Sequence, residues 1–351
     1  LKILLLDLGK KLRGGQRQVY YLARRLHRTP GFDPLVALPG KAPLRALLEE
    51  EGIPHIALPS ASDLNPLNIF SFFRIVATQQ PDIIHTNDAK GATLAALAKG
   101  WLGEFKLVHS RRVSYPLKAR SRKKYMAGDA LVAVSREIQE VLVEGGIPKE
   151  RTSTIHSGID VERYTTEKRH GPLLTIGAVG ALSSQKGFEV LIDALAILRD
   201  EECIPDWQCL IAGDGPLLQQ LKDRADQQGI SRSILFLGYR DSREVLPEID
   251  ILTVPSVDGE GSNGVIKEGW ASGTPVISSD LPSNLELVTH EHDGLVFGNR
   301  DARELAACIV RLASDPALAG QLAANGSETV ARFTDKVMAD KYMALYSSLL
   351  S

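Results

Sequence analysis

TEKRHGPLLTIGAVGAL, residues 166–182, sets a charged stretch directly against a long apolar one. Gly171 and Pro172 close the charged part and β-rich residues begin at once behind them. The segment therefore reads as a linker followed by the first strand of a new unit. The chain's own start shows the same signals, with KILLLDL (2–8) leading into the helix-like GQRQVYYLARRLHR. Working outward from both points, short apolar runs alternate with longer amphipathic ones. PLVALP (34–39), DIIHTN (82–87), KLVHSR (106–111) and ALVAVS (130–135) lie before the linker. CLIAGDG (209–215), ILFLGY (234–239), ILTVPS (251–256) and PVISSD (275–280) lie after it. Strand and helix in steady alternation predict an α/β fold of two doubly wound domains, each a parallel sheet with helices on both faces. The expected boundaries are 1–167 for the first domain and 168–330 for the second. Residues 331–351, which include the amphipathic DKVMADKYMALYSSLLS, are expected to form a helix crossing back to the first. Ligands of such sheets bind beyond the carboxyl ends of the strands, so a central cleft faced by both domains is the expected site.

Composition agrees with two cores: 351 residues, 44% hydrophobic, exceed what one core comfortably supports. Cys203, Cys209 and Cys308 have no zinc-ligand spacing and cannot pair evenly, which suits a reducing, cytoplasmic setting. The opening LKILLLDLGKK is too short an apolar run for a leader, and few residues are expected ahead of Leu1. No run approaches the roughly 20 apolar residues needed to span a bilayer. Charge is divided unevenly, with 25 basic against 17 acidic residues over 1–167 and 16 against 26 over 168–351. Much of the excess lies in RRVSYPLKARSRKKY (111–125), which holds Arg111, Arg112, Lys118, Arg120, Arg122, Lys123 and Lys124 and no acid. That run suits a solvated loop and helix face, or a surface meeting an anionic acceptor or anionic membrane lipids at the inner face of the membrane. Nucleic acid is not expected as a partner, because aromatics are few in this run and the overall pI is about 6.5.

The motifs narrow the chemistry. No G-x-G-x-x-G follows the first strand, and GALSSQKG does not make a nucleotide-hydrolase P-loop, since Lys186 precedes the glycine. Gly14 and Gly15 open a helix-like run, where backbone N–H groups can approach a ligand or where an ordinary tight turn is needed. Lys186 stands at the loop-to-helix junction after the second domain's first strand, placed to meet a diphosphate or simply solvent. EGSNGVIKEGWASGTPVISSD (260–280) is the most specific stretch. Gly261 to Gly264 form a turn into a helix near Val265, an anion cradle flanked by Glu260 on the loop and Glu268 one turn in. Two acids beside an anion site make sense as acceptors for hydroxyl groups on either side of a phosphate. Asp258-Gly259-Glu260 imitates a metal clamp only formally, and no metal or other cofactor is expected.

With these residues in view, the chain resembles, over essentially its whole length, the retaining nucleotide-sugar glycosyltransferases of family 4, which have two Rossmann-like domains in the GT-B arrangement. RGGQRQVYYLARRL, DIIHTND, KLVHSRR, LVAVSREIQEVLVEGGIPKERTSTIHSGID, VGALSSQKGFEVLIDAL, CLIAGDGP, LFLGYRDS and ILTVPS carry the likeness through their order. Its most specific part is Glu260 and Glu268 with seven residues between them. The resemblance implies transfer of a sugar from a nucleoside diphosphate to a hydroxyl of a saccharide or lipid-linked saccharide, as in lipopolysaccharide synthesis. It implies Glu268 on the donor ribose, Glu260 on the transferred sugar, and Ser262, Asn263 and Gly264 lining sugar and phosphate. It further implies Lys186 and Gly15 on the diphosphate, His109 beside the donor sugar and Arg240 near the base. Glu260, His109 and Lys186 are the expected catalytic group. Ala181 departs from the arginine common there, and Ser157 stands where asparagine is frequent. A nucleotide-sugar epimerase of the same fold, and a non-catalytic nucleotide-sugar or glycan-binding relative, are the alternatives.

Overall fold

A computed structural model describes residues 1–164, 167–169, 171–201, 204 and 206–351. Residues 166 and 170 of the expected linker, and Cys203, lie outside the described residues.

The first unit begins β1 (Lys2–Leu6), α1 (Gly14–His27), β2 (Asp33–Pro39), α2 (Leu44–Glu50), β3 (His55–Leu58), α3 (Pro66–Gln79), β4 (Ile83–Thr86) and α4 (Ala89–Leu102). It continues with β5 (Lys106–Arg111), α5 (Ala119–Met126), β6 (Ala130–Ala133), α6 (Arg136–Glu144) and β7 (Thr152–Thr154). The strands are parallel, in the order β3-β2-β1-β4-β5-β6-β7. Helices cover both faces, so the strands bury side chains on both sides and read as continuous apolar runs. Within β1, Ile3 and Leu5 join Val19, Leu22 and Leu26 of α1, whereas Leu4 and Leu6 join Phe72 and Val76 of α3 and Leu94 of α4.

The second unit holds β8 (Leu174–Val179), α7 (Phe188–Asp200), β9 (Trp207–Ala212), α8 (Leu218–Gln227), β10 (Ile234–Gly238) and α9 (Ser242–Val245). After these come β11 (Ile251–Val254), α10 (Gly264–Ala271), β12 (Val276–Ser279), α11 (Pro282–Leu285), β13 (Leu295–Phe297), α12 (Ala302–Ser314) and α13 (Pro316–Thr329). Its parallel strands follow the order β10-β9-β8-β11-β12-β13 around one core that includes Ile176, Leu191, Leu195, Ile211, Ile251, Ile277 and Leu295. In each sheet the strand order reverses once, between β1 and β4 in the first and between β8 and β11 in the second. Those reversals open a crevice at the strands' carboxyl ends.

The chain leaves the first unit after Ile159 and returns at Thr334, so the units are residues 1–159 with 334–351, and 160–333. The sequence placed these boundaries at 167 and 330. The difference lies in long-range ties. Gln18 on α1 both donates to and accepts from the Gly158 backbone at 2.8 Å, and Ile159 pairs with Thr334. Residues up to 159 are thereby held in the first core. α14 (Asp335–Leu350) packs along α1, burying Met338, Ala339, Tyr342 and Tyr346.

Candidate functional site

The crevice of the second sheet holds a small pocket lined by Ala178, Lys186, Thr253, Ser256 and Asn263. Lys186 ends a short 3-10 turn, and Gly187 follows with φ +61, a conformation that glycine adopts without strain. Its side chain has no room to grow, since a Cβ there would sit 2.0 Å from the Pro255 carbonyl. The turn thus aims Lys186 across the crevice, where Nζ donates to Glu260 Oε1 at 2.6 Å. Ser256 Oγ donates to the same oxygen at 2.5 Å. Ser256 is itself fixed, because Ser279 Oγ donates to its carbonyl and Asn284 Nδ2 donates to the Ser279 carbonyl. All three are buried.

Next to this pair, Asn263 caps α10 through Oδ1, which accepts the Val265 N–H, while its Nδ2 is enclosed without a hydrogen-bond partner. Lys267, fully buried, donates to Ser262 Oγ at 2.6 Å and lies over the Phe333 ring, so the loop 260–263 is tied to the helix it precedes. Glu268 leans back over the helix start: a Cβ built on Gly264 would meet its Oε1 at 3.7 Å. The second unit therefore gathers Lys186, Glu260, Ser262, Asn263, Gly264 and Glu268 around one crevice. Sequence reading missed Ser256, whose only signal is its place at the end of ILTVPS, four residues before Glu260.

The first sheet's crevice is also polar. Asp7, following β1, accepts from the Gly9 N–H at 2.8 Å and from the Gln16 amide at 3.1 and 3.2 Å. Burial and then the nearby Asp88 push its carboxyl up to about 6. Arg112, just past β5, donates to Ser157 Oγ at 3.2 Å and to Asn87 Oδ1 at 3.5 Å. Gly15, the second residue of α1, faces it, with a Cβ there coming 3.7 Å from Arg112 Cδ. Asp7, Gln16 and Asn87 were not singled out from sequence.

Several expected residues stand elsewhere. His109 lies fully buried in β5, with Nδ1 2.6 Å from Thr86 Oγ1 and the Tyr125 ring edge-on beside it. Its place is interior to the sheet, because strands buried on both faces point every side chain into a helix layer. Arg240 is exposed at the end of β10, the edge strand, where Nε and Nη2 each reach Glu244 at 3.3 Å. Among the described residues no hydrogen bond or ion pair joins it to the crevice. The basic run 111–125 does not form one surface. Arg111 is buried, its Nε and Nη2 donating to the carbonyls of Val113 and Tyr115, and it shapes the loop after β5. Lys124 is pinned to α4 by the Ala89 carbonyl at 2.6 Å and Thr93 at 3.1 Å. Lys118, Arg120, Arg122 and Lys123 are the exposed members, with Arg122 also reaching the Gly146 carbonyl.

Buried ionisable groups of the first unit predict how stability responds to acid. Burial holds His85 down at about 3 and His109 at about 4, from an ordinary 6.5. As pH falls below 6.5 the unfolded chain binds protons on both while the folded chain does not, so stability falls. Asp7 acts oppositely: between its ordinary 3.8 and about 6 the folded state binds the extra proton. Two against one leaves a net loss of stability as pH falls from about 6 to 4. Asp7→Asn should steepen that fall, and urea midpoints at pH 6.5, 5.5 and 4.5 check it.

The family model described as "Glycosyltransferase Family 4" matches residues 12–163, and that described as "Glycosyl transferases group 1" matches residues 174–315. The chain is 34% identical over 169 residues to the lipopolysaccharide core biosynthesis glycosyltransferase LpsD of Rhizobium meliloti, covering 48% of each protein. The chain thus spans about half the length of that relative. It is 25% identical over 276 residues to the UDP-Gal:alpha-D-GlcNAc-diphosphoundecaprenol alpha-1,3-galactosyltransferase of Escherichia coli, covering 72% of this chain and 71% of that one. The crystal structure of Anabaena HepE in complex with UDP superposes with a TM-score of 0.85 at 23% identity, over 99% of this chain and 100% of that one. That likeness establishes the fold.

Proposed function

Because the chain belongs to glycosyltransferase family 4, we propose that it transfers a sugar from a nucleoside diphosphate to a hydroxyl of a saccharide or lipid-linked saccharide, with retention at the anomeric carbon. The observation that carries the reading is the 2.6 Å Lys186–Glu260 pair at the second sheet's crevice, next to the start of α10. An ammonium and a carboxylate neutralise each other there until a ligand offers each a better partner. The diphosphate takes Lys186 and the N–H groups at the start of α10, the ribose takes Glu268, and the sugar hydroxyls take Glu260. Charge builds on the phosphate as the glycosidic bond breaks, and these fixed groups stabilise it. No metal is called for in this arrangement. The acceptor oxygen bonds to the anomeric carbon on the face the phosphate leaves, and its proton passes to the departing phosphate oxygen. The names of HepE and the Escherichia coli relative make uridine diphosphate sugars the first donors to test.

For the acceptor we propose a membrane-bound saccharide met at an anionic, cytoplasmic membrane surface, with the protein docked peripherally. No described helix is long and apolar enough to cross a membrane. Leu64, Leu67 and Phe70 are 74%, 68% and 71% exposed, on the loop into α3 and its first turns. Lys90 ties that loop to α4 and Lys124 ties α4 to α5, whose Arg120, Arg122 and Lys123 face solvent. Apolar side chains beside basic ones suit insertion among anionic headgroups.

One set of measurements tests both statements. UDP should raise the melting temperature, Glu268→Ala should weaken UDP at least about tenfold, and release of UDP from a donor panel should survive EDTA. No stabilisation by UDP, GDP or ADP would sink the donor reading. Equal flotation with neutral and anionic vesicles would sink the membrane reading.

A further inference from the structure

We infer that the crevice of the first unit's sheet is a second anion site, with Arg112 as its cation and Asn87 as a supporting donor, taking a phosphate or carboxylate group of a substrate. Two other cations at these crevices and helix seams are neutralised directly by a carboxylate: Arg24 reaches Asp335 at 2.6 Å and Lys186 reaches Glu260 at 2.6 Å. Arg112 has none within ion-pair distance among the described residues. Its partners are the neutral oxygens of Ser157 and Asn87, the second at a long 3.5 Å, and its Nε is enclosed with no hydrogen bond. Asn87 is 5% exposed, and its Nδ2 likewise has no partner. Asp7 acts on Arg112 only through space, being occupied by Gly9 and Gln16.

An enclosed guanidinium left without a counter-charge is costly, and enclosed N–H groups without acceptors add to the cost. Both costs vanish if an oxyanion enters. The way in is open, because Arg112 keeps part of its surface in solvent and Gly14 has no atom within 4 Å of where a side chain would begin. The site also lies where β1 and β4 diverge, the place in such a sheet where ligands are received. A planar guanidinium beside an amide N–H matches the paired oxygens of phosphate or carboxylate. Two sources share that chemistry, the donor's diphosphate and an acidic group on the acceptor. The inference leans on the glycosyltransferase reading only for naming those sources.

Inorganic phosphate is the probe, followed by melting temperature and by calorimetric titration, with and without saturating UDP. Wild type should be stabilised by phosphate, and Arg112→Met should lose roughly thirtyfold or more in phosphate affinity. Arg112→Met should also melt no lower than wild type without phosphate, since it removes an unpaired charge. Asn87→Asp, which supplies an internal carboxylate at the same distance, should abolish the phosphate response even if Arg112→Met does not fold. Phosphate stabilisation that persists under saturating UDP assigns the site to the acceptor. Stabilisation cancelled by UDP, with weaker UDP binding in Arg112→Met, assigns it to the donor. If neither phosphate nor UDP affinity changes in both variants, the site is refuted. Should UDP fail to bind while phosphate still depends on Arg112, the donor reading falls and this site stands.

Discussion

Lys186→Ala is expected to lower turnover about 10²–10³-fold, with a smaller rise in the donor's KM. The asymmetry follows from what the ammonium faces at each stage. In the resting enzyme it is spent on Glu260, so part of any attraction to the ground-state diphosphate is offset by breaking that pair. In the transition state the departing phosphate carries more charge, and the same ammonium is then worth more. The loop offers no second cation to share the load, since an exposed alanine, Ala181, occupies the position two residues past β8. Glu260 does not collapse when Lys186 is removed, because Ser256 still donates to it at 2.5 Å. The variant should therefore fold normally, which a melting curve verifies before kinetics are read. Lys186→Arg should recover little, as the 3-10 turn and Gly187 set the reach for a shorter, point-like cation. Steady-state release of UDP from the preferred donor is the measurement, and a fall of less than about threefold in turnover would show that Lys186 only holds Glu260 in place.

The same pair shows what sequence can reveal and what it hides. Lys186 and Glu260 each stood out locally, one at a strand-to-helix junction and one before an anion cradle. Their direct contact spans 74 residues and depends on β8 and β11 being neighbours, which no local pattern states. The alternation of apolar and amphipathic runs was legible because parallel strands covered on both faces must be apolar throughout. Strand order was not, and with it went the crevice of the first sheet. Arg111 and Arg112 read as part of a basic surface because their charge is visible while their neighbours Asp7, Asn87 and Ser157 lie far off in sequence. His109 shows the opposite. A histidine in sequence looks available, yet β5 lies between β4 and β6, and the side chain is buried beside Thr86 and Tyr125. The end of the first core at Ile159 was hidden for a related reason, since the ties that hold it come from Gln18 and Thr334.

Those ties converge on Asp335, and Asp335→Ala is expected to destabilise the first unit by about 3–5 kcal/mol. Its carboxylate, 1% exposed, accepts from Arg24 Nη2 at 2.6 Å and from Arg25 Nε and Nη2 at 2.9 and 2.7 Å. It thereby fastens the first turn of α14 to the last turn of α1. Removing it takes the 2.6 Å carboxylate partner from the Arg24 guanidinium, which has 8% of its side chain exposed and packs against the rings of Tyr20 and Tyr21. Arg25, at 30% exposure, can turn to water and adds little to the loss. No rearrangement of the neighbouring chain can fill the gap cheaply, because Gly158 already lies so close that a Cβ on it would fall 2.7 Å from Asp335 Cα. The cost should therefore appear as release of α14, and with it Tyr342 and Tyr346, from the sheet. Urea denaturation should show the lower stability, and limited proteolysis should cut first near Thr334. Pairing Asp335→Ala with Arg24→Met removes both halves of the buried pair and should recover most of the loss, since apolar replacement of a buried pair is often neutral. A single-variant loss below about 1 kcal/mol, the range of a solvent-exposed pair, would mean that α14 is held by its apolar face alone.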